Sequence, residues 1–158
     1  MNNKPIILES QIKNVSFGKN VKVVEPVNIY GCKIGDDTFI GPFVEIQKNV
    51  KIGNNCKIQS HSFICELVTI NDSTVIAHGV MFINDLFSLG KPANGDKNLW
   101  KETSIGSNVS IGSNSTILPV TICDNVVIGA GSVVTKNILE PGIYAGNPAK
   151  KIRGINND

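Results

Sequence analysis

The chain is poor in charge, in aromatic residues and in long apolar runs. Charged residues make up 18% of its 158 residues, aromatic residues 6%, and the formal net charge at pH 7 is +2. So small a charge argues against nucleic acid as the main partner, although Lys150, Lys151 and Arg153 form one basic cluster. No 18 consecutive residues are apolar, and the opening MNNKPIILESQ is unlike a secretory signal, so we expect a cytoplasmic protein without a membrane span.

Cysteine and histidine are also scarce. The cysteines are Cys32, Cys56, Cys65 and Cys123. They form no CxxC pair and no metal-ligand spacing, which favours a reduced protein whose thiols fill space in the structure. The only histidines are His61 and His78. No metal site is therefore expected.

What the chain has instead is a period of six. An aliphatic residue recurs at Ile34, Ile40, Ile46, Ile52, Ile58, Ile64, Ile70 and Ile76, and Phe82 takes the next place. A second small or branched residue follows four positions after each, so both series point the same way on an extended strand. Gly, Asn and Asp lie between them and tolerate tight turns. Each hexapeptide therefore predicts a short strand followed by a corner.

Repeats this short cannot bury an apolar face alone, so they must stack into a solenoid. The pattern resembles the hexapeptide-repeat acyltransferases. The resemblance implies an all-β fold, the left-handed parallel β-helix, in which three hexapeptides form one triangular coil. We expect a single β-helix domain over residues 1–158, with an excursion loop over 83–104 and an irregular C-terminal tail over 137–158.

The period breaks only once for a long stretch, between Phe82 and Ile105. Long loops without regular structure are unusual in compact domains and are often functional. Asn84 and Asp85 begin this loop, and Phe87 and Trp100 are apolar residues that a purely solvated loop would not favour. The loop is therefore predicted to help form a binding site.

The two histidines are expected on this side of the molecule. His61 follows Ile58 by three residues and His78 follows Ile76 by two, and an 18-residue coil would stack Ile58 on Ile76. The histidines should then lie on one edge in adjacent coils, about 4.8 Å apart, with the loop beginning at a neighbouring edge. Glu66 is predicted to face the same cleft.

Two stretches carry a closer resemblance, FIND at 82–85 and GKPANGD at 90–96. They are similar to the sugar-nucleotide N-acetyltransferases, which transfer an acetyl group from acetyl-CoA to the 3-amino group of a nucleotide-linked deoxysugar. The resemblance implies a role in the biosynthesis of a surface glycan such as lipopolysaccharide. The stretch NDLFSLGKP lacks arginine and offers only Lys91 to a sugar carboxylate. This favours a neutral 3-amino-3,6-dideoxyhexose on dTDP, with a UDP-linked amino uronic acid left open.

An uncharged amine can attack a thioester when it is held in place, so orientation can suffice. We predict Asn84 as the catalytic residue that orients the amine through its amide oxygen. Histidine is the natural base near neutral pH. If the reaction uses a base, the candidates are His61, His78 and Asp85, and His78 is preferred for its proximity in sequence to the loop. His61, Glu66 and Asp85 are predicted to bind substrate. Phe87 and Trp100 are predicted to stack on the nucleotide base.

The C-terminal stretch IGAGSVVTKNILEPGIYAGNPAKKI is similar to the part of the family that binds coenzyme A. The resemblance implies that the pantetheine arm contacts exposed backbone near Gly129 and Ala130 and that lysines hold the phosphates. The predicted residues of this site are Gly129, Ala130, Ser132, Lys136, Asn147, Pro148 and Lys150. In the family such grooves lie between subunits, so the resemblance also implies a homotrimer.

Three other functions remain open at this point. An O-acetyltransferase would need His78 or His61 to activate a hydroxyl group. A zinc hydratase similar to the gamma carbonic anhydrases would need three histidine ligands, one more than the chain has. A non-catalytic solenoid would not need a polar loop beside two histidines.

Overall fold

The solenoid is built from very short strands that the hexapeptide period sets. The computed structural model describes residues 5–6 and 8–155. Its strands are two to four residues long, and nearly all of them pair in parallel with the strand one coil below and one coil above. The fold class predicted from the sequence, an all-β left-handed parallel β-helix, is confirmed.

Three sheets form the faces of the solenoid. Sheet A contains β1 (Ile12–Lys13), β4 (Asn28–Tyr30), β7 (Glu45–Ile46), β10 (Phe63–Ile64), β13 (Met81–Phe82), β16 (Thr116–Ile117) and β19 (Val133–Val134). Sheet B contains β2 (Ser16–Phe17), β5 (Lys33–Ile34), β8 (Lys51–Ile52), β11 (Val68–Ile70), β14 (Thr103–Ile105) and β17 (Thr121–Ile122). Sheet C contains β3 (Lys22–Val23), β6 (Phe39–Ile40), β9 (Lys57–Ile58), β12 (Val75–Ile76), β15 (Ser110–Ile111), β18 (Val126–Ile128), β20 (Gly142–Ala145) and β21 (Lys150–Arg153).

The core is a set of stacked isoleucine columns inside the three faces. In sheet C, Ile58 pairs with Ile40 below it and with Ile76 above it. All three side chains are fully buried. Burial of one such side chain stabilises the fold by roughly 1.5–3 kcal/mol, so the stacking of equivalent residues supplies the main stabilisation. The predicted 18-residue coil is confirmed by this register.

The corners between the sheets form three edges. The A–B edge joins sheet A to sheet B and includes residues 47–50, 65–67 and the excursion after β13; the B–C edge includes 35–38, 53–56, 71–74 and 106–109; the C–A edge includes 41–44, 59–62, 77–80, 112–115 and 129–132. Many corners contain a residue with positive φ, often asparagine, as at Asn55 and Asn108. Asparagine tolerates this left-handed backbone, which explains its frequency in the repeat.

The interruption and the C-terminal tail both differ in detail from the sequence expectation. Thr103 and Ser104 pair with Val68 and Thr69, so the excursion is two residues shorter than the predicted 83–104. The tail, expected to be irregular over 137–158, contains two further strands. β20 continues sheet C in parallel on β18, and β21 then folds back antiparallel on β20. The last turn of the solenoid is thus covered by the chain's own C-terminal segment.

Candidate active site

The excursion leaves the solenoid at the A–B edge and returns to the same place. The backbone N–H of Lys101 donates to the carbonyl of Asn84 at 2.9 Å, and Asp85 pairs with Trp100 in an isolated antiparallel bridge. A 3₁₀ turn over Lys97–Leu99 lies just before the return. The ends of the excursion therefore hold each other, and the loop is anchored at its base.

Asp85 shapes the loop with its carboxylate. One oxygen accepts the N–H of Phe87 at 2.9 Å and the other accepts the N–H of Ala93 at 2.7 Å. These bonds fold the first half of the excursion around the aspartate and help bury Ala93. Both oxygens thus have loop donors, and the expected contact of Asp85 with substrate stays a prediction.

A groove of about 320 Å³ lies between the excursion and sheet A. It is lined by Gln47, Phe63, Cys65, Phe82, Ile83, Asn84, Asp85, Phe87 and Trp100. Phe87 is exposed and Trp100 half-buried, so the loop supplies aromatic surface that a planar ligand group could contact. Burial raises the pKa of the Cys65 thiol to about 12, so this cysteine contributes an uncharged wall and no nucleophile.

Asn84 is held with one side of its amide occupied. Its Nδ2 donates to the backbone carbonyl of Glu66 at 3.2 Å, across the gap between adjacent coils. The amide plane is thereby oriented, and the amide oxygen, which has no hydrogen-bond partner among the described residues, can accept one from a ligand. The structure thus places the predicted orienting residue in the groove.

Glu66 is a buried carboxylate that two lysines contact. Its carboxylate lies 2.9 Å from Nζ of Lys97 and 3.5 Å from Nζ of Lys48, and the residue is 6% exposed. The hydrogen bond to Glu66 raises the pKa of Lys97. Lys97 belongs to the excursion, and its Nζ also lies 5.6 Å from the centroid of the Trp100 ring. The expectation that Glu66 binds substrate directly stays a prediction.

His61 and His78 lie on the C–A edge in adjacent coils. The pairing of Ile58 with Ile76 places His61 level with Gly79 of the next coil, and His78 level with Ser60 of the coil below. The ring stacked on His61 is that of Phe43 from the coil below, at a centroid distance of 4.8 Å and an interplanar angle of 11°. Both histidines are exposed. The predicted shared edge is observed, and the ring neighbour of His61 is one that the sequence analysis did not foresee.

The C–A edge also presents a column of backbone donors. On the B–C edge, corner N–H groups are bonded by the next coil: Asn54 donates to Asp72 at 2.7 Å and Ser107 to Asp124 at 2.7 Å. On the C–A edge, the corresponding N–H groups have no acceptor within residues 5–6 and 8–155; they belong to Ser60, His78, Ser113 and Ala130. This edge can therefore donate hydrogen bonds to an extended ligand that runs along it.

The predicted coenzyme A residues divide between two edges. Gly129, Ala130 and Ser132 lie at the last corner of the C–A edge. The turn that contains Asn147 and Pro148 packs on this corner, because the N–H of Val133 donates to Gly146 and that of Ala149 donates to Val133. Lys150 is exposed on β21 beside them, whereas Lys136 is exposed on the A–B edge.

Ser132 is satisfied inside the protein. Its hydroxyl donates to the carbonyl of Gly129 at 2.6 Å and accepts the N–H of Gly146 at 3.1 Å, and the residue is fully buried. These bonds join the last corner to the C-terminal turn. A direct contact of Ser132 with a ligand stays a prediction.

The candidate residues thus form two groups that sheet A separates. Glu66, Asn84, Asp85 and Phe87 share the A–B edge, whereas both histidines lie on the C–A edge. The residues Val80 to Ile83 run between these edges, and at about 3.3 Å per residue they separate His78 from Asn84 by roughly 10 Å or more. Within one protomer, His78 and Asn84 therefore lie on opposite sides of sheet A.

Sequence reasoning missed Lys48 and Lys97 as members of the site. Lys48 precedes Glu66 by 18 residues, one full coil, so the repeat itself could have indicated that pair. Lys97 lies in the excursion, before the hexapeptide repeats resume at β14. No sequence signal in this aperiodic loop indicates its partner.

Two general features of the described chain bear on function. No helix within it is long and apolar enough to cross a membrane. In the same residues, no group of three or more His, Cys, Asp and Glu side chains is arranged to hold a metal ion.

Two protein-family models match parts of the chain. Residues 31–66 match the model of the bacterial transferase hexapeptide with six repeats, and residues 102–136 match the hexapeptide repeat of succinyl-transferase. Among curated proteins, the chain is 34% identical to the bifunctional protein GlmU of Acaryochloris marina, over 82% of this chain and 30% of the relative. The chain thus spans about a third of the length of the curated relatives that it matches.

Two solved structures are similar over most of the chain. A variant of AntD, an N-acyltransferase from Bacillus cereus in complex with dTDP and coenzyme A, is 25% identical with a TM-score of 0.77, over 90% of this chain and 84% of that one. Galactoside acetyltransferase in complex with coenzyme A is 33% identical with a TM-score of 0.64, over 91% of this chain and 66% of that one. With the two family models and the observed coils, these similarities show that the chain belongs to the hexapeptide-repeat transferase family.

Proposed function

We propose that the protein is an acetyl-CoA-dependent N-acetyltransferase. Its acceptor is the 3-amino group of a nucleotide-linked 3-amino-3,6-dideoxyhexose, with dTDP as the nucleotide, and the product serves surface glycan biosynthesis. Family membership and the similarity to an N-acyltransferase bound to dTDP and coenzyme A support this choice. The single observation that carries it is Asn84, whose amide is oriented toward a groove with aromatic walls.

The chemistry requires little from the side chains beyond placement. The neutral amine forms a bond to the thioester carbonyl carbon, the C–S bond then breaks, and the amine proton leaves with the thiolate or through water. Asn84 accepts a hydrogen bond from the amine through its amide oxygen, which directs the nitrogen lone pair at the carbonyl. A backbone N–H stabilises the tetrahedral oxyanion, and one such donor is worth about 3–4 kcal/mol in the transition state.

The C–A edge is the proposed site of acetyl-CoA. Its row of N–H groups at Ser60, His78, Ser113 and Ala130, which lack an acceptor in the described part of the chain, suits the amide carbonyls of the pantetheine arm. The exposed Lys150 lies beside the upper end of that row and supplies a cation for the phosphates. This arrangement supports a cosubstrate that extends along the edge across successive coils.

A homotrimer would unite the two separated groups. The amine site at Asn84 lies on the A–B edge and the proposed acetyl-CoA site lies on the C–A edge, so the two meet only if the edges of neighbouring subunits face each other. The site is therefore composite in the proposed assembly. Each trimer would contain three such sites.

Mixing two impaired variants tests the composite site. Asn84→Ala removes the orienting amide, and Ala130→Trp blocks the cosubstrate edge; each alone should keep only about a hundredth of the activity or less. In trimers assembled randomly from equal amounts of both, about a quarter of the sites would contain both intact edges, so activity should return to about that fraction. Absence of any recovery in confirmed mixed trimers would contradict a shared site.

The acceptor is tested by mass spectrometry of a substrate panel. The protein is incubated with acetyl-CoA and with dTDP- and UDP-linked 3-amino sugars, 4-amino sugars, amino uronic acids and hydroxy sugars. A mass gain of one acetyl group on the dTDP-linked 3-amino sugar is expected, and Asn84→Ala should reduce that rate by about a hundredfold. Acetylation of only the other acceptors would overturn the proposed substrate.

A second candidate is O-acetylation of a sugar hydroxyl. It is favoured by the similarity to galactoside acetyltransferase and by the two exposed histidines beside the N–H groups of the C–A edge. A hydroxyl group needs a general base, which typically contributes about 10²–10⁴ to the rate. His78→Ala or His61→Ala would then abolish activity, whereas the proposed N-acetyltransferase should lose less than about tenfold.

A further inference from the structure

Glu66 connects the excursion to the coil beneath it. Its carboxylate receives Lys97 from the excursion at 2.9 Å and lies 3.5 Å from Lys48 of the coil below. Both lysine side chains are about half exposed, whereas the side chain of Glu66 is 8% exposed. A buried carboxylate without partners is strongly unfavourable. Loss of either lysine contact would therefore destabilise the folded protein, which favours both contacts. We refer to Glu66, Lys48 and Lys97 as the Glu66 clasp.

The backbone of the same residue orients Asn84. The carbonyl of Glu66 accepts Nδ2 of Asn84 at 3.2 Å, and the N–H of Glu66 donates to Oε1 of Gln47 at 3.3 Å. Gln47 and Asn84 both line the groove. The backbone at Glu66 is thus fixed from the coil below, while its carbonyl fixes the coil above.

We propose that Glu66 is a positioning residue that holds both the excursion and the Asn84 amide for transfer. This role rests on the proposed function, since it concerns the placement of the acceptor amine. The carboxylate draws Lys97 and the 3₁₀ turn onto the coil, and the turn carries Trp100 to the groove. The carbonyl sets the plane of the Asn84 amide, which leaves its oxygen directed at the acceptor.

The contacts favour this role over a direct contact with substrate. Lys97 and Asn49 both reach Oε2 of Glu66, and Lys48 faces Oε1. A neutral sugar would have to displace a lysine from a buried carboxylate to reach it. Such a displacement would leave the charge unpaired, which is costly in a buried position.

The variant Glu66→Gln tests the proposal first in the protein without ligand. It keeps the shape and the backbone of the residue but removes the charge that holds Lys97. The amides of Leu99, Trp100 and Lys101 should exchange with deuterium about tenfold faster, because a charge-assisted hydrogen bond anchors their turn. Acrylamide should also quench Trp100, the only tryptophan of the chain, more strongly than in the unchanged protein.

Steady-state kinetics give the second measurement. With an acceptor that the protein acetylates, Glu66→Gln should lower kcat by about ten- to a hundredfold, while the KM for acetyl-CoA stays unchanged. Glu66→Asp, which keeps the charge on a shorter side chain, should recover part of the loss. The matched control is Glu102→Gln, an exposed carboxylate at the end of the same excursion, which should change none of these quantities.

Three outcomes would overturn the proposal. One is deuterium exchange and quenching in Glu66→Gln that equal those of the unchanged protein. Another is a raised KM for the acceptor with an unchanged loop, which would mean direct substrate binding. If Glu66→Gln does not fold, Lys97→Met must raise the exchange of the same amides, and failure to do so is the third. Lack of acetylation by the unchanged protein would contradict the proposed function only, because the exchange measurement needs no substrate.

Discussion

Two buried threonines near the excursion differ in what their hydroxyl groups contact. The hydroxyl of Thr74 donates to the carbonyl of Gly106 at 2.9 Å and accepts the N–H of Val109 at 3.2 Å, so it joins the coils before and after the loop. The hydroxyl of Thr103 is buried and has no hydrogen-bond partner among residues 5–6 and 8–155. The hydroxyl group of Thr74 therefore stabilises the folded protein, whereas that of Thr103 destabilises it.

Replacement of each threonine by valine should separate the two cases. Thr74→Val leaves the N–H of Val109 without its acceptor and should lower the free energy of unfolding by about 1–3 kcal/mol. Thr103→Val removes an unpaired buried hydroxyl at constant shape and should leave the free energy of unfolding unchanged or raise it. Urea denaturation of both variants measures this difference, and equal effects would contradict the hydrogen bonds assigned to Thr74.

Single residues were only partly predictable from sequence. Cys32, Cys56 and Cys65 are buried, as expected for residues that fill the solenoid. The 18-residue coil also placed His61 and His78 on one edge. The contacts of Glu66 with Lys97 were not predictable, because a lysine in an aperiodic loop has no register relative to the coils.

At the scale of the corner, the B–C edge forms a ladder of carboxylate and amide side chains. Asp72 accepts the backbone N–H of Asn54 at 2.7 Å, and Asn54 in turn accepts that of Asp36 at 2.8 Å. The Oδ1 atom of Asp72 lies where the Cβ atom of a side chain at position 53, one coil below, would be. Residue 53 is glycine, which leaves room for this oxygen. Asn71 is the equivalent of Gly53 one coil higher. The residue above it that corresponds to Asp72 is Ser107, so no carboxylate fills the space at Asn71.

Alanine substitutions at these two positions should therefore differ. A methyl group at Gly53 would collide with the carboxylate of Asp72 and with nearby backbone, so Gly53→Ala should lower the free energy of unfolding by about 1–3 kcal/mol. Asn71→Ala changes an exposed side chain and should stay within about 0.5 kcal/mol. Thermal and urea denaturation of the two variants test this difference. An unchanged free energy of unfolding in Gly53→Ala would mean that the side chain of Asp72 can move aside without loss of stability.

Elements followed the period closely, and departures arose where the period fails. The strands recur at the spacing that the hexapeptides predict, because an aliphatic residue every six positions defines both the inward face and the corner. The two strands of the tail were missed, since GIYA and KKIR carry no hexapeptide signal and pair only because β18 presents a free edge to them.

For the molecule as a whole, its buried thiols give a dependence of stability on alkaline pH. Burial raises the pKa of Cys32 to about 11 and that of Cys65 to about 12, from an ordinary value of 9.0 that the unfolded chain should show. Below pH 9 both states hold these protons and the thiols add no pH dependence. Above pH 9 the unfolded state loses protons that the folded state keeps, so the free energy of unfolding falls as the pH rises toward 11.

Urea denaturation between pH 8 and pH 10 should show this decline. By pH 10 each of the two thiols should have reduced the free energy of unfolding on the order of 1 kcal/mol. The double variant Cys32→Ala/Cys65→Ala should start less stable but decline less steeply over the same range. Parallel slopes for the two proteins would show that the thiols are not the cause.

The amino-acid sequence by itself determined the solenoid, its 18-residue coil and the place where the coil is interrupted. It could do so because each hexapeptide meets the same environment as the one a coil away, so a local pattern repeats into the tertiary structure. Only the tertiary structure decided how the excursion folds back, that Glu66 binds Lys97, and that Asn84 and His78 lie on different edges. These contacts join segments without a common period, and their geometry depends on the path of the loop and on the width of sheet A.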